Sequence, residues 1–269
     1  MLASTTPGGP DAAWAPLRRR LESALPLLYP VERLPAPSFP ARSAALLSFP
    51  PGCLTCRGPA RPGFGRCYQC DRHELLGHGL LADAVVPIAY AVKGTTLAAD
   101  LWRYKSWTAP SMAARAALLT LLLTFLHDHG ACVWRHAGMP APDRLAVVPT
   151  GCGRPGPHPL LELASPYLRL PLTRLAIRPG TQGRELNLDR FRADQAASGA
   201  RVLLIEDSWV SGASAQSAAA ALKRAGARQV AIVMLGRHVD PADPQAGPWA
   251  ARLRPGPYKV SECAVHPQI

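Results

Sequence analysis

The stretch from Arg201 to Leu235 limits the fold of this chain more than any other. Arg201-Val-Leu-Leu-Ile205 is a run of bulky apolar residues. Two acids follow, Glu206 and Asp207, then a loop of small residues, Ser211 to Ser214, then an Ala-rich helical stretch, Ala213 to Ala225, closed by Gly226. Gln229 to Leu235 is a second apolar run. Runs of this length without alternation read as strands buried on both faces. Strands separated by a helix argue for a parallel sheet, whose crossovers are right-handed. The same alternation recurs upstream: Ala84 to Val92 reads as a strand, Thr95 to Trp107 as a helix, and Ser111 to His129 as a longer apolar helix stopping at Gly130. Arg144 to Pro149 reads as a strand, the stretch ending near Leu168 as a helix, Leu172 to Ile177 as a third short strand, and Arg178 to Gly199 as polar and irregular. The expectation is an α/β fold, a mainly parallel sheet with helices on both faces. In such sheets ligands bind at the carboxyl ends of the strands, here the loops after Pro149 and Ile205.

Composition bounds the rest. The 269 residues are 48% hydrophobic and 18% charged, too apolar to stay unfolded throughout, and they show no collagen-like period. The formal charge of +12 comes almost wholly from Arg, since Lys occurs only at positions 93, 105, 223 and 259. This balance favours approach to polyanions such as DNA, RNA or phosphorylated metabolites, and counting alone does not separate a basic face from dispersed Arg. Residues 1–52 are rich in Pro and Ala, with a helical stretch from Ala12 to Leu28 in which Trp14, Leu17, Leu21, Leu25 and Leu28 share a face. Residues 53–82 form a Cys-containing unit, 83–240 the α/β domain, and 241–269 read as a loosely packed tail. Met1 to Asp11 lack a basic segment followed by an apolar one, and the longest apolar stretch, Ala116 to Leu126, falls short of the ~20 residues a bilayer needs. The expectation is a cytoplasmic protein without a membrane span.

In a reducing compartment Cys spacing is read as metal chemistry before disulfides. Cys53-Leu-Thr-Cys56 and Cys67-Tyr-Gln-Cys70 put four thiolates on two tight knuckles, a tetrahedral four-cysteine zinc site of the ribbon kind. Structural zinc contributes about 10 to 16 kcal/mol to such a unit, more than its few apolar residues supply. Cys132, Cys152 and Cys263 have no metal spacing, and His127 and His129 read as helix-end residues.

At the end of the Arg201 strand, backbone N–H groups at a helix start, with the hydroxyls of Ser211 and Ser214, suit a phosphate, and Gly212 allows close approach. Glu206 and Asp207 suit the hydroxyls of an attached sugar or a bound Mg2+. This segment resembles the type I phosphoribosyltransferases: Glu206 and Asp207 match their acidic pair, and Ser211, Gly212, Ala213 and Ser214 their 5-phosphate loop. The loop departs from that pattern at Trp209 and Val210, and it offers no base of the kind purine-using members carry. A zinc ribbon ahead of such a domain is similar to the ComF family, bacterial proteins tied to DNA uptake. Leu101-Trp-Arg-Tyr-Lys105 resembles that family's Leu-Lys element, and Gln182 to Phe191, with Arg184 and Asn187, its segment ahead of the acidic strand. The resemblance implies that phosphoribosyl pyrophosphate with Mg2+, or a nucleotide 5-phosphate, is the ligand. Lys105 and Arg154 would meet its pyrophosphate, Thr150 and Gly151 would offer backbone amides, and Arg184 would lie on a closing segment. Two functions follow from it: phosphoribosyl transfer to a nitrogen nucleophile, or a non-catalytic adaptor in DNA uptake or repair that contacts single-stranded DNA or a helicase-like protein.

Overall fold

The structure, a computed structural model, describes residues 10–28, 52–106, 109–150, 157–181, 183–251, 253 and 257–265. Four parallel strands, β1 (Ala84–Val92), β2 (Arg144–Val147), β5 (Arg201–Trp209) and β6 (Gln229–Val239), form its sheet in the order β1-β6-β5-β2. Val86 pairs with Val233, Leu203 with Ala231, and Leu145 with Leu203. Each strand is buried on both sides, which is why all four read as apolar runs without alternation. Val86, Ile88, Leu145, Leu203, Ile205 and Val233 face one core; Val85, Ala146, Leu204, Ile232 and Met234 face the other. Pro87 is tolerated because β1 is an edge strand.

The helices follow from the handedness of the crossovers. Going from β1 to β2 the chain crosses the sheet one way, and α3 (Thr96–Arg103) and α4 (Ala109–His136) cover the first face. Going from β5 to β6 it moves the opposite way, and α6 (Ala213–Arg224) covers the second. Opposite directions with one handedness require opposite faces. After β2 the chain continues outward: α5 (Pro159–Leu168) packs on the first face, and Leu172 bridges Leu145 in parallel on the outer side of β2. It then returns over the second face through a small antiparallel ribbon, β3 (Leu175–Ile177) with β4 (Phe191–Ala193), anchored by the buried Phe191.

The expected α/β class therefore holds, with local differences. The stretch from Leu172 to Ile177 is divided: Leu172 meets β2 and the rest pairs with β4. β4 lies in the segment expected to be irregular. Gly130 does not end α4, which runs 28 residues, to His136. A Cβ at Gly130 would lie 2.4 Å from Cζ2 of Trp14, so this glycine lets α1 (Pro10–Ala24) lie close against α4, with Trp14 edge-on to Trp134 at 5.4 Å. The stretch Ser111–His136 is thus long and apolar enough to cross a membrane by length and composition, and 67% of its most apolar window is buried inside this protein. Residues 241–269 are not a loose tail where they are described. Trp249, on the short helix α7 (Gly247–Ala250), packs edge-on against Tyr90 at 6.2 Å, Leu253 joins the same cluster, and Tyr258 enters the first core.

The Cys-containing unit folds onto the second face, where Cys53, Cys56 and Cys70 pack with Val85 and Trp209. The Tyr90 hydroxyl donates to the Arg57 carbonyl at 2.8 Å and ties the unit to β1. Among described residues 52–83 there is no strand. The first Cys pair lies on a turn, but the second opens α2 (Tyr68–Leu76), with Cys67 as its N-cap residue. The unit is one knuckle and one helix start, not the two knuckles of a ribbon.

Candidate functional site

In an open parallel sheet the ligand crevice lies where neighbouring strands send their following elements to opposite faces. Here that place is between β5, which leads to α6 on the second face, and β2, which leads to α5 on the first.

β5 runs four residues past Ile205, so Glu206 and Asp207 belong to the strand itself. The acids come at its carboxyl end, where the sheet gives way to the loop. Asp207 is buried, 6% exposed, and its Oδ2 accepts two bonds from the residues just after α3: Tyr104 Oη at 2.7 Å and Lys105 Nζ at 2.6 Å. Tyr104 is held in turn by Arg115, whose Nε donates to the Tyr104 carbonyl at 2.9 Å, and Arg115 stands 3.8 Å from Glu162. Glu206 is half-buried and accepts from the Asp207 amide at 3.1 Å. Burial first, and the neighbouring Asp207 carboxylate second, hold Glu206 well above the usual carboxylate range.

The loop beyond is shaped by one close contact. Gly212 has φ +82°, and a Cβ there would lie 2.0 Å from Cζ2 of Trp209. The indole is 1% exposed and lies in the second core, so it supports the loop from the interior and only glycine fits above it. Ser211 Oγ accepts from the Ala213 amide and donates to the Arg184 carbonyl, both at 3.3 Å. Its hydroxyl therefore meets the first amide of α6 and fastens a neighbouring segment. Ala213 is buried and Ser214 half-buried on the first turn of α6, where helix geometry leaves amides without intrahelical partners.

The segment carrying Arg184 and Asn187 is laid along α6. The Asn187 amide donates to Ser217 Oγ at 3.0 Å, and Arg224 donates to the Leu188 carbonyl at 2.8 Å and to Asp189 at 2.7 Å. Arg184 meets the loop through its carbonyl, with its side chain exposed. Thr150 lines a cavity of about 630 Å³ on the β2 flank together with His158, Thr173 and Arg174, and neither acid lines it. Gly151, Cys152, Gly153, Arg154 and Gln182 lie outside the described residues.

The four sulfurs of Cys53, Cys56, Cys67 and Cys70 all lie within 4.8 Å of one another. A tetrahedron with Zn–S bonds of about 2.3 Å has S···S edges of about 3.8 Å. Cys56 Sγ and Cys67 Sγ are 3.8 Å apart, and the Cys56 amide donates to Cys53 Sγ at 3.4 Å. The donor set therefore suits zinc. Cys53 and Cys56 push the thiols of Cys67 and Cys70 above the usual range; four sulfurs this close ionise together only around a cation. Arg237, 8% exposed, lays its guanidinium against Gly58 of the knuckle, where a Cβ would lie 2.3 Å from Nη2, and donates to the carbonyls of Trp209 and His238. A tetrathiolate zinc carries charge −2, and Arg237 is the buried cation beside it.

Of the residues named from sequence, the structure brings Lys105 against Asp207 at the strand end that leads into the loop, and it gathers the four cysteines. Sequence reading missed Tyr104, whose only signal was its place beside Lys105, and Arg237, which nothing in the chain connects with the cysteines. No protein-family model matches the chain, and no curated protein matches it.

Proposed function

We propose that this chain binds a phosphorylated pentose, phosphoribosyl pyrophosphate or a nucleotide 5-phosphate, in the crevice between β5 and β2, as a ComF-like protein of the type I phosphoribosyltransferase fold. The observation that carries the reading is the placing of Asp207, paired with Lys105 and Tyr104, one loop ahead of Gly212 and the start of α6, at the point where the sheet reverses its winding. Glu206 and Asp207 accept hydrogen bonds from the ribose hydroxyls, and Tyr104 holds Asp207 in position. The turn from Gly212 to Ser214 and the α6 dipole take the 5-phosphate.

Without ligand, Lys105 neutralises Asp207. With phosphoribosyl pyrophosphate, Lys105 turns to the pyrophosphate and Asp207 to the sugar, so a cation and an anion are placed at opposite ends of the scissile bond. Mg2+ arrives with the pyrophosphate as part of the substrate. In turnover the C1–O bond to pyrophosphate breaks and a C1–N bond forms to the nucleophile, with positive charge developing on the ribose. The Asp207 carboxylate opposes that charge and Lys105 opposes the charge of the leaving group, an electrostatic contribution with no covalent intermediate. The test is isothermal titration. Lys105→Ala should lose at least tenfold in affinity for phosphoribosyl pyrophosphate and little for ribose 5-phosphate; equal losses remove Lys105 from this role.

The four-cysteine unit holds structural zinc in this reading. Cys53→Ser with Cys56→Ser should lose one equivalent of zinc per chain by mass spectrometry and melt at lower temperature.

One observation favours an adaptor as a second reading. Between the four-cysteine unit and the end of β6 lies a cavity of about 660 Å³ lined in part by Arg61, Phe64, Arg66, Tyr68 and Arg237. Phe64 and Tyr68 are 62% and 71% exposed. Exposed rings beside Arg suit the stacking of single-stranded bases, and such binding weakens steeply with salt.

A further inference from the structure

His129 and Cys132 stand one turn apart on α4, and Cys263 comes from the C-terminal segment, 131 residues beyond Cys132. A ring nitrogen of His129 and the sulfurs of Cys132 and Cys263 lie within 4.8 Å of one another. His129 and Cys132 are buried, at 5% and 8% exposure, and Cys263 is half-buried. His129 Nε2 lies 2.6 Å from the Val260 carbonyl. A carbonyl only accepts, so Nε2 carries the proton and Nδ1 carries the lone pair. A backbone carbonyl orienting one ring nitrogen while the other ligates is the usual support of a metal-bound histidine.

We propose that His129 Nδ1, Cys132 Sγ and Cys263 Sγ bind a second zinc ion, with the fourth tetrahedral position open to water or a small exogenous ligand. Two sulfurs and one imidazole are a donor set that zinc accepts. The charge fits the place. Two thiolates, a neutral imidazole and Zn2+ sum to zero, which suits a site packed against the first core, whereas the tetrathiolate site at −2 has Arg237 against it. Both thiol protons leave to solvent on binding. The ion joins α4 to the segment that carries Tyr258 into the first core, so it fastens the stretch from Tyr258 to Cys263 to the interior. The two cysteines escaped sequence reading because no local spacing links positions 132 and 263.

The test uses the full chain, purified from zinc-supplemented cells without chelator, with metal content and free thiols measured on the same sample. Wild type should hold two zinc ions per chain. Cys263→Ser and, separately, His129→Gln should hold one, and either combined with Cys53→Ser and Cys56→Ser should hold none. Circular dichroism checks the fold of Cys263→Ser. Should that variant fail to fold, His129→Gln and tryptic cleavage after Lys259 decide: adding zinc to chelated wild type should slow that cleavage at least tenfold and leave it unchanged in His129→Gln. Wild-type zinc content in Cys263→Ser or His129→Gln overturns the proposal. So does cleavage after Lys259 that zinc does not alter, or a thiol count that rises by two on reduction, which would mark a Cys132–Cys263 disulfide.

Discussion

A methyl group at Gly212 would meet the Trp209 indole at 2.0 Å and would sit on a backbone with φ +82°. Gly212→Ala should therefore cost about 2 to 5 kcal/mol of stability, the sum of left-handed strain and overpacking, measured by urea unfolding. It should also abolish 5-phosphate binding, because the loop has to lift off its support. Glu206 gives a prediction in pH. Its folded-state pKa is raised, so the native protein keeps a proton that the unfolded chain releases above about 4.5. Stability then falls as pH rises from that value toward the folded pKa. Glu206→Gln removes the dependence, so the variant should gain on wild type steadily as pH rises into the neutral range. Parallel denaturation curves across that range would refute the burial assigned to this carboxyl.

The contact between α1 and α4 supplies a sharper test than helix propensity does. In an open helix Gly→Ala gains about 1 kcal/mol, yet at position 130 the added carbon would lie 2.4 Å from Trp14. Gly130→Ala should destabilise the wild-type protein and stabilise a Trp14→Ala background. The sign reversal in a double-mutant cycle measures the docking of α1. Gly130 also shows where sequence reading of elements failed. A glycine after an apolar helical run reads as a stop, and only the partner Trp14, more than a hundred residues away, reveals it as a point of close approach. β1 was legible to the residue because both its faces are buried and its run is uninterrupted. β5 was read short because acids normally end a buried strand, whereas these continue it to the site. β4 was invisible: three residues, one of them Arg192, have too little pattern to stand out from a polar stretch.

Across the whole molecule the α/β class and the mainly parallel sheet were legible, because apolar runs separated by helices have few other ways to pack; the strand order, and with it the crevice between β5 and β2, came from the structure. What sequence did not show is long-range closure: the Trp249–Tyr90 contact, Arg237 beside the cysteines, and Cys263 against α4. Each joins residues with no common local pattern. Among the described residues, chemistry-bearing groups gather in three places, the crevice between β5 and β2, the four-cysteine unit on the second face, and the His129, Cys132 and Cys263 cluster beside the first core. Of these the crevice carries the proposed function. Titration calorimetry with phosphoribosyl pyrophosphate and Mg2+ tests it most directly. Wild type should bind with at least micromolar affinity, and Asp207→Asn should weaken binding at least tenfold while keeping the wild-type circular dichroism spectrum. A wild-type protein that gives no heat with phosphoribosyl pyrophosphate or any nucleoside monophosphate, or an Asp207→Asn variant that binds as wild type does, would contradict it.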